Sequence, residues 1–97
     1  MRRIEFHPEA DRELADAKAW YRERSEVAAQ AFALEIDQAI KSIAEAPERW
    51  PRMDRGERRL VLSRFPYSIL YRVRSEEVFI TAVAHQKRRP DYWGDRT

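Results

Sequence analysis

The sequence contains no cysteine. Disulfides, thiol nucleophiles and cysteine-bound zinc are excluded together, and a reducing compartment fits. Glycine is nearly as scarce, with only Gly56 and Gly94, so no glycine-rich phosphate loop can form. The two histidines, His7 and His85, stand far apart without a carboxylate at ligand spacing. No metal site and no cofactor is expected from them. No serine occupies a nucleophile-elbow context, and no carboxylate pair is distinctively placed. Long apolar runs are missing too. No segment is expected to span a bilayer, and Met1-Arg2-Arg3-Ile4-Glu5 leads directly into structure without a secretory signal. A soluble cytoplasmic protein without a membrane partner is the expectation. Lysine is also rare, three against 16 arginines.

What is present suffices for one core. Of 97 residues, 43% are hydrophobic and 11% aromatic, which suits a single domain over residues 1–97. The charged fraction is high, 37%, but signs interleave, unlike a disordered chain. The net charge of +2 is unevenly spread: residues 1–46 carry 7 basic against 10 acidic side chains, residues 47–97 carry 12 against 7. The two halves therefore face different partners, or each other. Arginine suits bidentate contact with phosphate or carboxylate. Codon bias can explain its excess over lysine but not its clustering.

Ile4 and Phe6 alternate with Arg3 and Glu5, predicting a short strand. His7-Pro8-Glu9 opens a helix, with proline in the first turn and Glu9, Asp11 and Glu13 at the positive end of the dipole. Ala10, Leu14, Ala17 and Tyr21 form its apolar stripe, widened by Trp20. Residues 22–26 read as a break. A second helix follows from Val27 to Ala46, with Ala28, Phe32, Ile36, Ile40 and Ile43 on one face and Pro47 beyond its end. The two should form an antiparallel hairpin. Residues 48–57 form a connector pinned by Trp50. Arg58–Ser63, Tyr67–Val73 and Val78–His85 read as strands, the last two joined by a hairpin-length polar link. The expected class is α+β, ordered β-α-α-β-β-β: a short N-terminal strand, the helical hairpin, a three-stranded antiparallel sheet, then a basic C-terminal tail.

Strict alternation places Tyr67, Ile69, Tyr71 and Val73 on one face and Ser68, Leu70 and Arg72 on the other. It sets Val78, Ile80, Ala82 and Ala84 opposite Phe79, Thr81, Val83 and His85. With the apolar sets on the helices, Arg72 and His85 share an open face. There His85, Lys87, Arg88, Arg89, Tyr92 and Trp93 join Arg58, Arg59, Arg64 and Arg72. Cations mixed with rings suit nucleic acid and equally an acidic protein. Cleavage of RNA through its 2′-hydroxyl is a further option: His85 as base or acid, Tyr92 orienting or donating, Arg72 holding phosphate. In the plainer alternative His85 only ends a strand, and Tyr92 and Trp93 only dock the tail.

The ordered strings Phe6-His7-Pro8-Glu9-Ala10, Ala17 with Trp20-Tyr21, Pro47 with Trp50-Pro51, Phe65-Pro66-Tyr67 and Tyr71-Arg72-Val73 run the length of the chain. Ala82-Val83-Ala84-His85 follows, with Arg88, Arg89, Pro90, Tyr92 and Trp93. This set resembles the RelE/ParE superfamily of type II toxin–antitoxin modules, in particular its ParE-like, plasmid-stabilisation branch. The resemblance implies a toxin held in a hetero-oligomer by a cognate antitoxin, whose flexible C-terminal segment folds onto it. Leu14, Trp20, Tyr21 and Phe32 would form the antitoxin groove. ParE-like members are associated with poisoning DNA gyrase without chemistry of their own, RelE-like members with cutting mRNA on the ribosome. Arg58, Arg59, Arg72, His85 and Tyr92 match the RelE-type site by position, and Arg72, His85 and Tyr92 would be catalytic there. That pattern's strand lysines are missing, so gyrase is the expected target. A third reading is a non-toxic module that only binds antitoxin.

Overall fold

In the computed structural model, which describes residues 1–96, the chain starts with strand β1 (Arg3–Phe6) and helix α1 (Pro8–Arg24). His7 is the hinge between them: its Nδ1 accepts the Glu9 amide at 3.0 Å, capping the helix. Helix α2 (Glu26–Glu45) follows after one residue. The expected break over residues 22–26 shrinks to Ser25, because this serine serves both helices. Its extended backbone donates to the Tyr21 carbonyl and closes α1. Its Oγ accepts the Ala28 amide at 3.1 Å and opens α2. A 3-10 turn, Pro47–Arg49, then leads to β2 (Arg58–Val61), β3 (Tyr67–Arg74) and β4 (Glu77–His85).

The four strands form one mixed sheet in the order β1-β4-β3-β2, an α+β arrangement. The three later strands are antiparallel, as expected, and β1 adds itself in parallel to β4, with Ile4 opposite Val78 and Phe6 opposite Ile80. Both helices bring apolar side chains to one face. Ala10 and Ala17 of α1 and Phe32, Ile36, Ala39 and Ile43 of α2 bury against Ile69, Tyr71, Val78 and Ile80. The Tyr71 hydroxyl, inside this core, donates to the Pro47 carbonyl at 2.5 Å. Burial pushes its pKa up to about 12.

The expected face assignment fails at one residue. Leu70 pairs with Ala82, but its neighbour Tyr71 pairs with Ile80, so Thr81 is an extra residue in β4. Such a bulge reverses the alternation beyond it. Val78 and Ile80 face the helices, and so does Val83, whereas Ala82 and Ala84 lie on the far side with Leu70. His85, two residues after Val83 and paired with Tyr67, belongs to the helix side. Arg72, two residues after Leu70, belongs to the far side. Arg72 and His85 therefore stand on opposite faces, contrary to the expectation. Nor is the far face open. Trp93, 7% exposed, covers Leu70, Ala82 and Ala84, flanked by Met53 and Tyr92.

Replacing Tyr71 with phenylalanine leaves the buried Pro47 carbonyl without its donor at almost unchanged volume. We expect a loss of about 1–2 kcal/mol in urea unfolding with the same denaturant dependence.

Candidate functional site

Pairing of β1 with β4 ends at Ile80. Beyond it the Val83 amide turns to α1, where Glu13 Oε1 accepts it at 3.0 Å. The same carboxylate accepts the Tyr92 hydroxyl at 2.8 Å and both terminal nitrogens of Arg96 at 3.0 Å. Arg96 Nη1 also reaches the Thr81 carbonyl at 3.2 Å. One glutamate thus ties α1, the bulge and the C-terminal segment together. The Tyr92 phenol is held well above its ordinary pKa, first by burial and then by its bond to Glu13. Glu13 was legible beforehand only as a favourable charge near the helix start.

Above this knot lies a cleft of about 390 Å³ between α1 and the ends of β3 and β4. Trp20, Tyr21, Tyr67, His85, Arg88 and Tyr92 line it, with Asp16 and Glu13 as its acidic members. Trp20 is 49% exposed, its ring edge-on to Tyr21 and covered on one side by the Arg24 guanidinium at 3.8 Å. Tyr21 also contacts Phe32, Phe65 and Tyr67, which anchors this wall to the core. Trp20 and Tyr21 are the accessible members of the expected antitoxin groove. Leu14 is half-buried against the core, and Phe32 is 0% exposed. Phe32 therefore supports this wall from beneath instead of lining a groove, because its helical stripe faces the sheet.

The expected target-binding residues are dispersed. Arg58 is a strut, donating to the carbonyls of Glu48 at 3.3 Å and Trp50 at 2.6 Å. Arg59, on the far face, donates to Ser68 Oγ at 3.3 Å. Exposed Arg64 lies at a turn whose amides, with the Ser63 hydroxyl, are held by Glu35. Arg72 bonds to Glu57 at 3.0 Å and to the Arg55 carbonyl at 2.9 Å. Glu57 is only 1% exposed. His85 accepts the Lys87 amide on Nδ1 at 3.0 Å and stands edge-on to Tyr67. Lys87, Arg88 and Arg89 are exposed, with the Arg88 guanidinium 3.9 Å from the Tyr92 ring centre. Trp93 is buried and serves packing. The three candidates for RNA cleavage, Arg72, His85 and Tyr92, are thus not one constellation: Arg72 is on the other side of the sheet from His85, and the Tyr92 proton is committed to Glu13. No group of acidic and histidine side chains fit to hold a metal occurs among the described residues. None of their helices is long and apolar enough to cross a membrane.

Comparison with known proteins agrees with this architecture. Residues 4–90 match the family described as the ParE toxin of the type II toxin–antitoxin system, parDE. The chain belongs to that family of toxins. Nine chains of solved structures match it. One of them, from the chromosomal ParDE TA system of P. aeruginosa, superposes with a TM-score of 0.74 at 21% identity, covering 88% of this chain and 96% of that one. At that identity it shows the shared fold. No protein of curated function matches the sequence.

Two predictions follow from the Glu13 knot. Glu13→Ala strands a buried amide and a guanidinium, and should cost about 2–4 kcal/mol in urea unfolding. Hydrogen exchange should then accelerate in residues 92–96 while the centre of α2 stays protected. The second concerns pH. An ordinary tyrosine titrates near pH 10, and Tyr92 is raised above that in the fold. Its contribution is complete below about pH 10 and is lost as pH climbs toward the folded value. The stability gap between the native chain and Tyr92→Phe should narrow above about pH 10.

Proposed function

We propose that the chain inhibits DNA gyrase in the cytoplasm and is neutralised by a cognate antitoxin that docks in the Trp20 cleft. The observation that carries the first half is the dispersal of Arg72, His85 and Tyr92. Ribonuclease chemistry needs an acid, a base and a phosphate-holding cation converging on one phosphate. Here the bulge at Thr81 sends the cation and the imidazole to opposite faces, and the phenol is hydrogen-bonded and hard to ionise. Inhibition by binding alone makes no such demand. Membership of the ParE family favours the same target.

The second half rests on the cleft. It joins an exposed indole, tyrosine rings and charges of both signs, a surface able to anchor a flexible segment that folds as it binds. Its acidic members come from the negative half of the sequence and its cations from the positive half.

Purified gyrase supplies the test. With relaxed plasmid and ATP, the chain should block supercoiling and accumulate protein-linked DNA breaks, and prior mixing with antitoxin should abolish both effects. Unimpaired supercoiling, together with mRNA cut on programmed ribosomes, would overturn the proposal in favour of the ribonuclease.

A further inference from the structure

The far face of the sheet holds arginines that the docking of the tail does not consume. Residues 53–57 form a turn in which the Met53 amide donates to the Glu57 carbonyl and the Gly56 amide to the Met53 carbonyl. Gly56 has φ +94°, and a side chain there would be strained. The space beside its Cα belongs to cations. A Cβ on Gly56 would lie 3.4 Å from Arg72 Nη1 and 3.8 Å from Arg52 Nη2, so the two guanidiniums approach one point. Arg55 reaches across to the tail, where a Cβ on Gly94 would collide with its guanidinium. Both glycines of the sequence therefore leave room for arginine.

The local charge is unbalanced. Glu57 is buried, and its carboxylate is paired with Arg72 at 3.0 Å. Asp54, Asp91 and Asp95 are neighbours in sequence, but among the described residues none forms an ion pair with Arg52 or Arg55. Exposed Arg59 adds a further cation, bordering with part of Arg88 a small adjoining cavity of about 120 Å³ walled by Met53, Leu70 and Trp93. Like charges gathered around one buried carboxylate repel one another, and an added anion relieves that repulsion. The planar guanidinium fork suits the oxygens of a phosphate, and here Arg52 stands beside Arg72 at Gly56 while Arg55 stands beside Gly94.

We propose that Arg52, at Gly56, and Arg55, at Gly94, make two separate phosphate contacts on the far face, and that their ligand is the backbone of duplex DNA. Arg72 is a positioning residue, since its bond to the Arg55 carbonyl at 2.9 Å and its pair with Glu57 hold the turn. The choice of a duplex over single-stranded nucleic acid rests on the rings of this face. Single strands are bound largely by stacking of bases on exposed aromatics. Here Trp93 is 7% exposed, and Phe79 is 8% exposed with the Arg74 guanidinium 4.0 Å from its ring centre. Cations are offered and stacking surfaces are not, which suits a duplex that presents phosphates and keeps its bases inside. The choice of DNA rests also on the gyrase reading, in which the chain works beside a DNA duplex.

The test is fluorescence anisotropy of the full chain with a labelled 20-base-pair duplex, without gyrase, over a series of salt concentrations. The native chain should bind, with affinity falling as salt rises. Arg52→Ala with Arg55→Ala should weaken binding about tenfold or more and reduce the salt slope by about two, one for each phosphate contact. Arg52→Lys with Arg55→Lys should keep most of the slope. Both positions are exposed, and unchanged circular dichroism and urea midpoint confirm an intact fold. The inference is overturned if the native chain does not bind, if the alanine pair binds with native affinity and slope, or if an acidic polyglutamate peptide binds better at the same arginines. A gyrase assay on the same preparations separates the two proposals. Arginine-dependent DNA binding without gyrase inhibition upholds this site and defeats the target, and inhibition without DNA binding does the reverse.

Discussion

Four hydrogen bonds converge on the Glu13 carboxylate, and the course of the last twelve described residues depends on them. Strand β1 pairs with β4 only as far as Ile80, so the Val83 amide has no strand partner on that edge, and a buried amide without an acceptor is costly. Helix α1 supplies the acceptor. Once the carboxylate is fixed by Val83, its remaining lone pairs are most cheaply satisfied by donors brought from elsewhere, and Tyr92 and Arg96 are those donors. Arg96 returns to the bulge itself through the Thr81 carbonyl. The bulge, the glutamate and the tail therefore form one unit: remove any member and the others keep unsatisfied polar groups. Here an acid of the negative first half meets a cation of the positive second half.

Much of this fold could be read from residue patterns. Pro8 and the acids behind it mark a helix start by simple dipole and proline chemistry, and Phe32, Ile36 and Ile43 mark a buried stripe by spacing alone. The strands of the hairpin were legible for the same reason, as β-branched and aromatic residues around a polar link. Thr81 was not. A bulge leaves no periodic signature when both faces of a strand are buried, and Val78 to Ala84 are all buried. Without a polar face to show the slip, alternation ran straight through it and placed His85 on the wrong side. Glu57 was hidden for a related reason. Its burial depends on Arg72, fifteen residues away, and nothing local distinguishes it from the exposed acids around it.

The same slip explains why the candidate residues separate into two surfaces. On the helix side, His85 ends beside Tyr67 and the aromatic group formed by Tyr21, Phe32 and Phe65. Edge-to-face packing makes that group rigid, so Trp20 and Tyr21 stand at the rim of a preformed wall. A partner segment that folds on contact gains most from such a wall, because only one side loses conformational freedom. On the far side the tail lies over the sheet and brings Gly94 against Arg55. The chain has an aromatic face and a guanidinium face, and strand parity beyond Thr81 decides which residues belong to each.

Arginine serves two different purposes across these faces. Arg58, Arg72 and Arg96 are struts, each donating to two or more carbonyl or carboxylate oxygens of the scaffold. Lysine could not replace Arg72 or Arg96, which engage different acceptor atoms with their two terminal nitrogens. Arg52, Arg55, Arg64, Lys87 and Arg89 lie exposed, and no ion pair engages them among the described residues. A count of basic residues merges the two groups, whereas the hydrogen bonds separate them. The scarcity of lysine therefore concerns the scaffold as much as any ligand. Only the unspent cations carry information about what the surface meets, and two of them, Arg52 and Arg55, stand where glycine has left room.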